Sequence, residues 1–202
     1  MSDIDVLAGI IGSDGHIYKD RYSLCVVNKN EDFIENVVIP LIHKITGKKK
    51  KSKFVPSGYG NGKFKVHVTS VNFCKELIEK FNIPAGAKSQ TIKPPNLSDN
   101  KRRIDYLRGW IAGDGSVTND RTRVKIEIWS KSFVMLEWFA DVLKENGIKT
   151  KMFEEKQKKE HILRIGRKDD VLLFYKMIRI PHSEKQNKLE DLLPKTSRPL
   201  SN

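Results

Sequence analysis

The chain has 202 residues, 38% hydrophobic and 8% aromatic, a composition that supports a packed globular fold rather than a disordered tail. Lys and Arg number 38 against 25 Asp and Glu, and the resulting formal net charge of +13 calls for a polyanionic partner. No apolar run reaches the ~18 residues of a membrane span, the first residues (Ser2, Asp3, Asp5) are acidic where a secretion signal is basic, and the only cysteines, Cys25 and Cys74, cannot build a zinc cluster or a disulfide scaffold. An intracellular, cytoplasmic protein is expected, with both thiols filling the core.

The chain opens on Leu7-Ala8-Gly9-Ile10-Ile11-Gly12-Ser13-Asp14-Gly15, and one hundred residues later comes Leu107-Arg108-Gly109-Trp110-Ile111-Ala112-Gly113-Asp114-Gly115. The segments downstream of the two copies are also similar. Asp20-Arg21 parallels Asp120-Arg121. A strand candidate, Tyr22 to Asn28, parallels Arg123 to Trp129, where Val124, Ile126 and Ile128 alternate with Arg123, Lys125 and Glu127. Helical periodicity then runs from Phe33 to Ile45 and from Phe133 to Asn146, with Gly47 and Gly147 placed as C-caps. After a Gly-rich turn over Ser57 to Gly62, Lys63 to Thr69 alternates strictly, with Phe64, Val66 and Val68 opposing Lys63, Lys65, His67 and Thr69. Helical stretches from Val71 to Phe81 and from Asp170 to Ile178 close the halves, each trailed by an Ile-Pro dipeptide and a lysine, Lys88 or Lys185. The expected organisation is an N-terminal module over 1–92, a linker over 93–103, a C-terminal module over 104–194 and a frayed tail over 195–202. The expected class is α+β.

The motif has a physical logic. Gly9, Gly12 and Ser13 share one helix face, as do Gly109, Ala112 and Gly113, and small residues let two backbones approach closely. If the helices pack through Gly9, Gly12, Gly109 and Ala112 about a pseudo-twofold axis, Asp14 and Asp114 meet at the negative ends of both helix dipoles, beside terminal carbonyls left without partners. Such carboxylates repel, and hard divalent cations with oxygen ligands neutralise them, which points to metal-dependent phosphodiester chemistry. Gly15 and Gly115 are expected to act as C′ residues that turn the chain away after each Asp.

Both segments resemble the motif of the LAGLIDADG homing endonucleases, in the single-chain, two-motif form of archaeal introns. The resemblance spans nearly the whole chain; Gly12 and Ala112 stand where the family name has its first Asp, and the second Asp is kept in both copies. It implies two αββαββα modules whose antiparallel four-stranded sheets form saddles over double-stranded DNA. It implies a monomeric, site-specific endonuclease that cuts both strands of a long pseudo-palindromic target and leaves short 3′ overhangs. The cofactor would be Mg²⁺, with Mn²⁺ able to substitute and Ca²⁺ able to bind without supporting cleavage. A non-cleaving intron RNA-splicing maturase, or a DNA-binding regulator on the same scaffold, is the alternative.

By the same resemblance Asp14 and Asp114 are the metal-binding catalytic carboxylates, assisted by the backbone carbonyls of Ser13 and Gly113. Lys29 and Lys131, after the first strand of each module, and Lys88 and Lys185 match basic active-site positions, where cations stabilise charge on phosphorus or orient water. Asn28 and Ser130 would join them in positioning water. Lys63, Lys65, His67 and Thr69 in the first half, and Arg123, Lys125, Lys149, Lys151 and Arg164 in the second, would face phosphates and base edges. The run Lys48, Lys49, Lys50, Lys51 and Lys53 reads as a phosphate contact or a loose loop. His16 lies just after the first motif without a counterpart and is left unassigned.

Overall fold

The computed structural model describes residues 2–56, 62–120 and 123–193; most of the expected Gly-rich turn (57–61) and the tail from 194 onward lie outside the described residues. Helix α1 (Asp3–Asp14) leads into strands β1 (Gly15–Ile17) and β2 (Ser23–Asn28). One helical passage comes next, made of α2 (Glu31–Phe33), a π-helical turn over Ile34–Val38 and α3 (Ile39–Thr46). The wide turn has a local cause: Pro40 has no N–H to give the carbonyl four residues back, and the Ile39 N–H reaches back five residues to Ile34. Strands β3 (Lys53–Val55) and β4 (Lys63–Thr69) and helix α4 (Val71–Glu79) complete the first module.

The second module repeats this order with α5 (Asn100–Asp114), β5 (Gly115–Asp120), β6 (Arg123–Ser130), α6 (Phe133–Glu145), β7 (Lys151–Glu155), β8 (Glu160–Ile165) and α7 (Lys168–Met177). A further helix, α8 (Ser183–Leu192), has no helical counterpart among the described residues of the first half. Each sheet is antiparallel, in the orders β1-β2-β4-β3 and β5-β6-β8-β7.

Alternation along the strands sorts each sheet into a face packed on helices and a polar face. Leu24, Val26, Val66 and Val68 are fully buried, as are Ile126, Ile128, Leu163 and Ile165. Cys74 and Cys25 are both buried as expected, but Cys25 is not on the helix-packed face. It pairs across strands with His67 on the polar face, where the Tyr18 hydroxyl donates to its Sγ at 3.5 Å.

Two expectations change. Gly47 and Gly147 do end helices in the left-handed conformation, at φ 69° and 79°. Gly15 and Gly115, at φ −92° and −86°, do not; the chain leaves each helix extended and enters a strand directly. Glycine is required there by space, since a Cβ would lie 2.7 Å from the Ile11 backbone or 2.4 Å from the Ile111 carbonyl oxygen. Helix α5 starts at Asn100, capped by the Asp99 side chain accepting from the Arg102 N–H at 2.8 Å, so the end of the expected linker is helical. The segment before it is fastened down. Asn82 donates to the Pro94 carbonyl at 2.6 Å, the Asn96 N–H donates to the Lys80 carbonyl at 3.1 Å, and Ile92 and Leu97 are buried.

Helices α1 and α5 pack along each other at the centre of the molecule. A Cβ on Gly9 would sit 2.0 Å from the Tyr106 carbonyl oxygen, and one on Gly109 would sit 2.0 Å from that of Val6. The contact is therefore backbone on backbone and reciprocal. Gly12 lies under the Trp110 ring and Ala112 is fully buried. At the N-terminal ends Arg102 donates to both oxygens of the buried Asp5 at 2.9 and 2.8 Å, while Asp105 accepts from the Ser2 N–H at 2.6 Å and from Arg108. Both buried carboxylates are thus satisfied across the pair, which aligns the two helices end to end.

Candidate active site

The crossing of α1 and α5 sets the position of Asp14 and Asp114. A Cβ on Gly113 would lie 2.0 Å from the Ser13 Oγ and 3.1 Å from the Asp14 carboxyl carbon, so the last turns of the two helices touch. Crowding by protein raises the pKa of both carboxyls, and for Asp114 the neighbouring Asp14 charge is the next cause. The Asp14 rise is opposed by Asn28, whose Nδ2 donates to Oδ2 at 2.6 Å.

The helix-end carbonyls are not left without partners, contrary to expectation. Lys88 Nζ donates to the carbonyls of Ile11, Gly12 and Ser13 at 3.1, 2.5 and 2.5 Å. Lys185 Nζ does the same for Ile111, Ala112 and Gly113 at 3.1, 2.7 and 2.5 Å. Each lysine is a cationic cap on a helix C-terminus. Burial pulls both ammonium groups down to about 8, against the opposing pull of Asp14 and Asp114.

Two cavities flank the helix pair. One, of about 530 Å³, is lined by Asp14, Asn28, Lys29, Lys63, Gly113 and Lys185, with His182 and Glu184 at its wall. The other, of about 370 Å³, is lined by Asp114, Ser130, Lys131, Ser13, Lys88 and Glu160, with His16, Trp110 and Trp129 around them. Each cavity therefore joins the aspartate of one module to the helix end and the capping lysine of the other. Neither module alone contains a whole half-site.

Two carboxylates, two terminal carbonyls and the adjoining cavities form an all-oxygen donor set, and the absent side chain at Gly113 lets the two helix ends come together there. This fits a hard divalent cation that completes its shell with water and substrate oxygens. Among the described residues no group of three or more His, Cys, Asp or Glu side chains forms a closed metal cage.

Residues 102–179 match the family model of the LAGLIDADG-like domain. The second half of the chain thus carries the likeness to that family. Over 194 residues the chain is 24% identical to homing endonuclease I-ApeI of Aeropyrum pernix, covering 93% of this chain and 84% of the relative. The fold is that of I-DmoI, whose complex with DNA and Ca superposes with a TM-score of 0.63 at 18% identity over 88% of both chains. Homing endonuclease I-WcaI bound to its DNA recognition sequence superposes with a TM-score of 0.64 at 16% identity, over 93% of this chain and 86% of that one. Full-length DUF199/WhiA from Thermatoga maritima superposes with a TM-score of 0.66 at 19% identity, over 95% of this chain but 59% of its own.

The motif residues Asp14, Asp114, Ser13 and Gly113 sit together with Lys29, Lys131, Lys88, Lys185, Asn28 and Ser130 in the two cavities. The Ser130 hydroxyl is engaged as acceptor of the Ser132 N–H at 3.0 Å. Lys63 lines the Asp14 cavity, and Lys65 donates to the Tyr18 hydroxyl at 3.0 Å, while His67 and Thr69 are exposed on the same face. Arg123, Lys125, Lys149, Lys151 and Arg164 surround a cavity of about 480 Å³ on the second sheet. Lys48 is turned back to the Thr69 carbonyl and caps structure. His16 reaches the Asp114 cavity from the other module.

Sequence reasoning does not find Glu160 or the docking of α8. Ser183 donates to Asp32 at 2.7 Å, Asn30 donates to Glu184 at 3.1 Å, and His182 stacks on Phe33 with ring centroids 4.7 Å apart, fastening α8 to the first module. On the opposite side Ser132 donates to the Ile92 carbonyl at 2.8 Å. The N-cap character of Asn30 and Ser132 is the available signal, since both begin the helix after the first long strand.

Proposed function

We propose that this chain is a site-specific DNA endonuclease that hydrolyses both strands of a long, imperfectly symmetric duplex. The observation that carries this reading is the pair Asp14 and Asp114 at the touching ends of two helices, below two sheets with basic polar faces. I-ApeI, I-DmoI and I-WcaI are homing endonucleases by name, and I-DmoI has been seen with DNA and Ca or Mn, which supports DNA as partner and a divalent ion as cofactor. Mg²⁺ is the proposed physiological ion.

Such an ion held by Asp14, Asp114 and the carbonyls of Ser13 and Gly113 would withdraw charge from the scissile phosphate and acidify the attacking water. Lys88 and Lys185 stay mostly protonated at neutral pH and place positive charge where the phosphate gains negative charge. Lys29 and Lys131 stand at the cavity mouths, where they steer the phosphate inward, and Asn28 holds Asp14 in one orientation. Lys63, Lys65, His67 and Thr69, with Arg123, Lys125, Lys149, Lys151 and Arg164, contact the duplex on either side. One chain holds both half-sites, so a monomer suffices.

The test is incubation of a plasmid library of candidate insertion sites with Mg²⁺, Ca²⁺ or EDTA, and then sequencing of the ends. Cuts at one long site with short 3′ overhangs, in Mg²⁺ only, are expected. Tight binding in Ca²⁺ without cleavage in Mg²⁺ would sink the endonuclease reading in favour of a regulator or maturase.

A further inference from the structure

The polar face of the second sheet holds one arginine unlike the other cations around it. Arg164 on β8 lies opposite Glu127 on β6 and Lys151 on β7. Its Nε donates to Glu127 Oε1 at 2.7 Å, and its guanidinium lies 4.4 Å from the centroid of the Phe153 ring. Glu127 is only 9% exposed, so its carboxylate is spent on Arg164. The arginine is thereby fixed in position and direction, with its terminal amino groups left over for a partner.

Three features separate this group from a phosphate clamp. The pair Glu127–Arg164 has no net charge, so it gives little long-range pull on a phosphate, and a buried carboxylate beneath it repels one. Next to it runs the row Trp129 opposite Ile162 opposite Phe153, whose apolar surfaces suit base edges and methyl groups, with Lys158 Nζ 5.4 Å from the centroid of the Trp129 ring. Other cations that line the same cavity, Lys149 and Arg167 among them, are available for backbone phosphates. A guanidinium held in place by a carboxylate and a ring presents donors that match the O6 and N7 acceptors of guanine. In the first sheet the equivalent row holds Cys25 and His67, and no arginine is there.

We propose that Arg164, clamped by Glu127 and Phe153, reads a guanine in the major groove of the half-site bound by the second module, and that the first module makes no matching contact. This rests on the DNA-binding reading above. Glu127 and Phe153 are positioning residues that act through Arg164.

The experiment is selection of bound duplexes from a randomised library by the full chain in Ca²⁺, for wild type, Arg164→Ala and Glu127→Gln. Affinities are then measured for the selected duplex and for versions with each base pair at the assigned position, across a salt series. Wild type is expected to enrich one guanine in one half-site. Arg164→Ala should bind that duplex about 10- to 100-fold more weakly and lose its preference at that pair alone. Glu127→Gln should relax the same position by a smaller factor, because Phe153 still supports the arginine. An equal loss on every sequence with a shallower salt slope would overturn the proposal and make Arg164 a phosphate contact. Unchanged selection by Arg164→Ala would overturn it too. Failure of wild type to enrich any sequence would instead overturn the DNA-site reading itself.

Discussion

Asp14 and Asp114 occupy equivalent places on a pseudo-symmetric helix pair, yet the side chains facing them differ. Asp14 accepts a 2.6 Å hydrogen bond from Asn28 and shares its cavity with Lys29, Lys63 and Lys185. Asp114 has Ser130 in the place of Asn28, turned toward Ser132, and Glu160 in the place of Lys63. The Asp14 cavity therefore has three lysines with Glu184 at its wall, whereas the Asp114 cavity has Lys88 and Lys131, and Glu160 there adds to the rise of the Asp114 pKa. The architecture is repeated, while the electrostatics of the two halves are set separately.

The largest effect should come from removing either carboxylate. Since residues that merely orient metal ligands typically contribute 10- to 100-fold, loss of a ligand itself in Asp14→Asn or Asp114→Asn should lower double-strand cleavage by more than about 100-fold. Rates for each strand, measured on end-labelled duplex, check this; full activity in either variant would remove that aspartate from the site.

A smaller change should sharpen the contrast. Glu160 acts through its charge, so Glu160→Gln should weaken Ca²⁺ binding to the DNA-free protein by about three- to tenfold, whereas Lys63→Gln should not weaken it. Titration calorimetry reads this without any cleavage, and equal responses would show that the halves do not differ toward cations.

A last contrast concerns pH and stability, through the α8 clasp on the Asp14 side. Burial lowers the His182 pKa from 6.5 to about 4, with Lys185 next in effect, and the residue is 3% exposed. The imidazole is neutral in the fold, so its contribution is complete above pH 6.5 and is lost as pH falls toward 4, by at most about 3 kcal/mol. Thermal melts between pH 7 and 4 should show a steeper decline for wild type than for His182→Phe; identical slopes would place the acid sensitivity elsewhere.

Much of this molecule is legible in the chain because the motif is a packing device. Gly9 and Gly109 are small for a reason that repetition exposes, and the aspartates come at a fixed helical distance after them. The strand faces are equally visible, since strict alternation leaves few other arrangements. The hidden part depends on which segment crosses to which module. Lys88 and Lys185 are recognisable as candidates, but that each shares a cavity with the aspartate of the other half is set by the helix crossing. Glu160 escapes notice because the turns before β4 and β8 differ in sequence, which hides its equivalence to Lys63. Gly15 and Gly115 mislead because a glycine after a helix suggests a left-handed turn, whereas here contact with Ile11 and Ile111 excludes a side chain.

The joint between the modules is made where glycine meets carbonyl, and a carbonyl oxygen is the same in every protein. The side chains proposed to contact DNA stand on or beside strands rather than on the two helices of that joint. A half drawn from another such protein, with small residues at the places of Gly9 and Gly109, would seat on the same oxygens and bring its own aspartate to the same depth. The strand faces can thus change one half at a time while the distance between Asp14 and Asp114 stays constant.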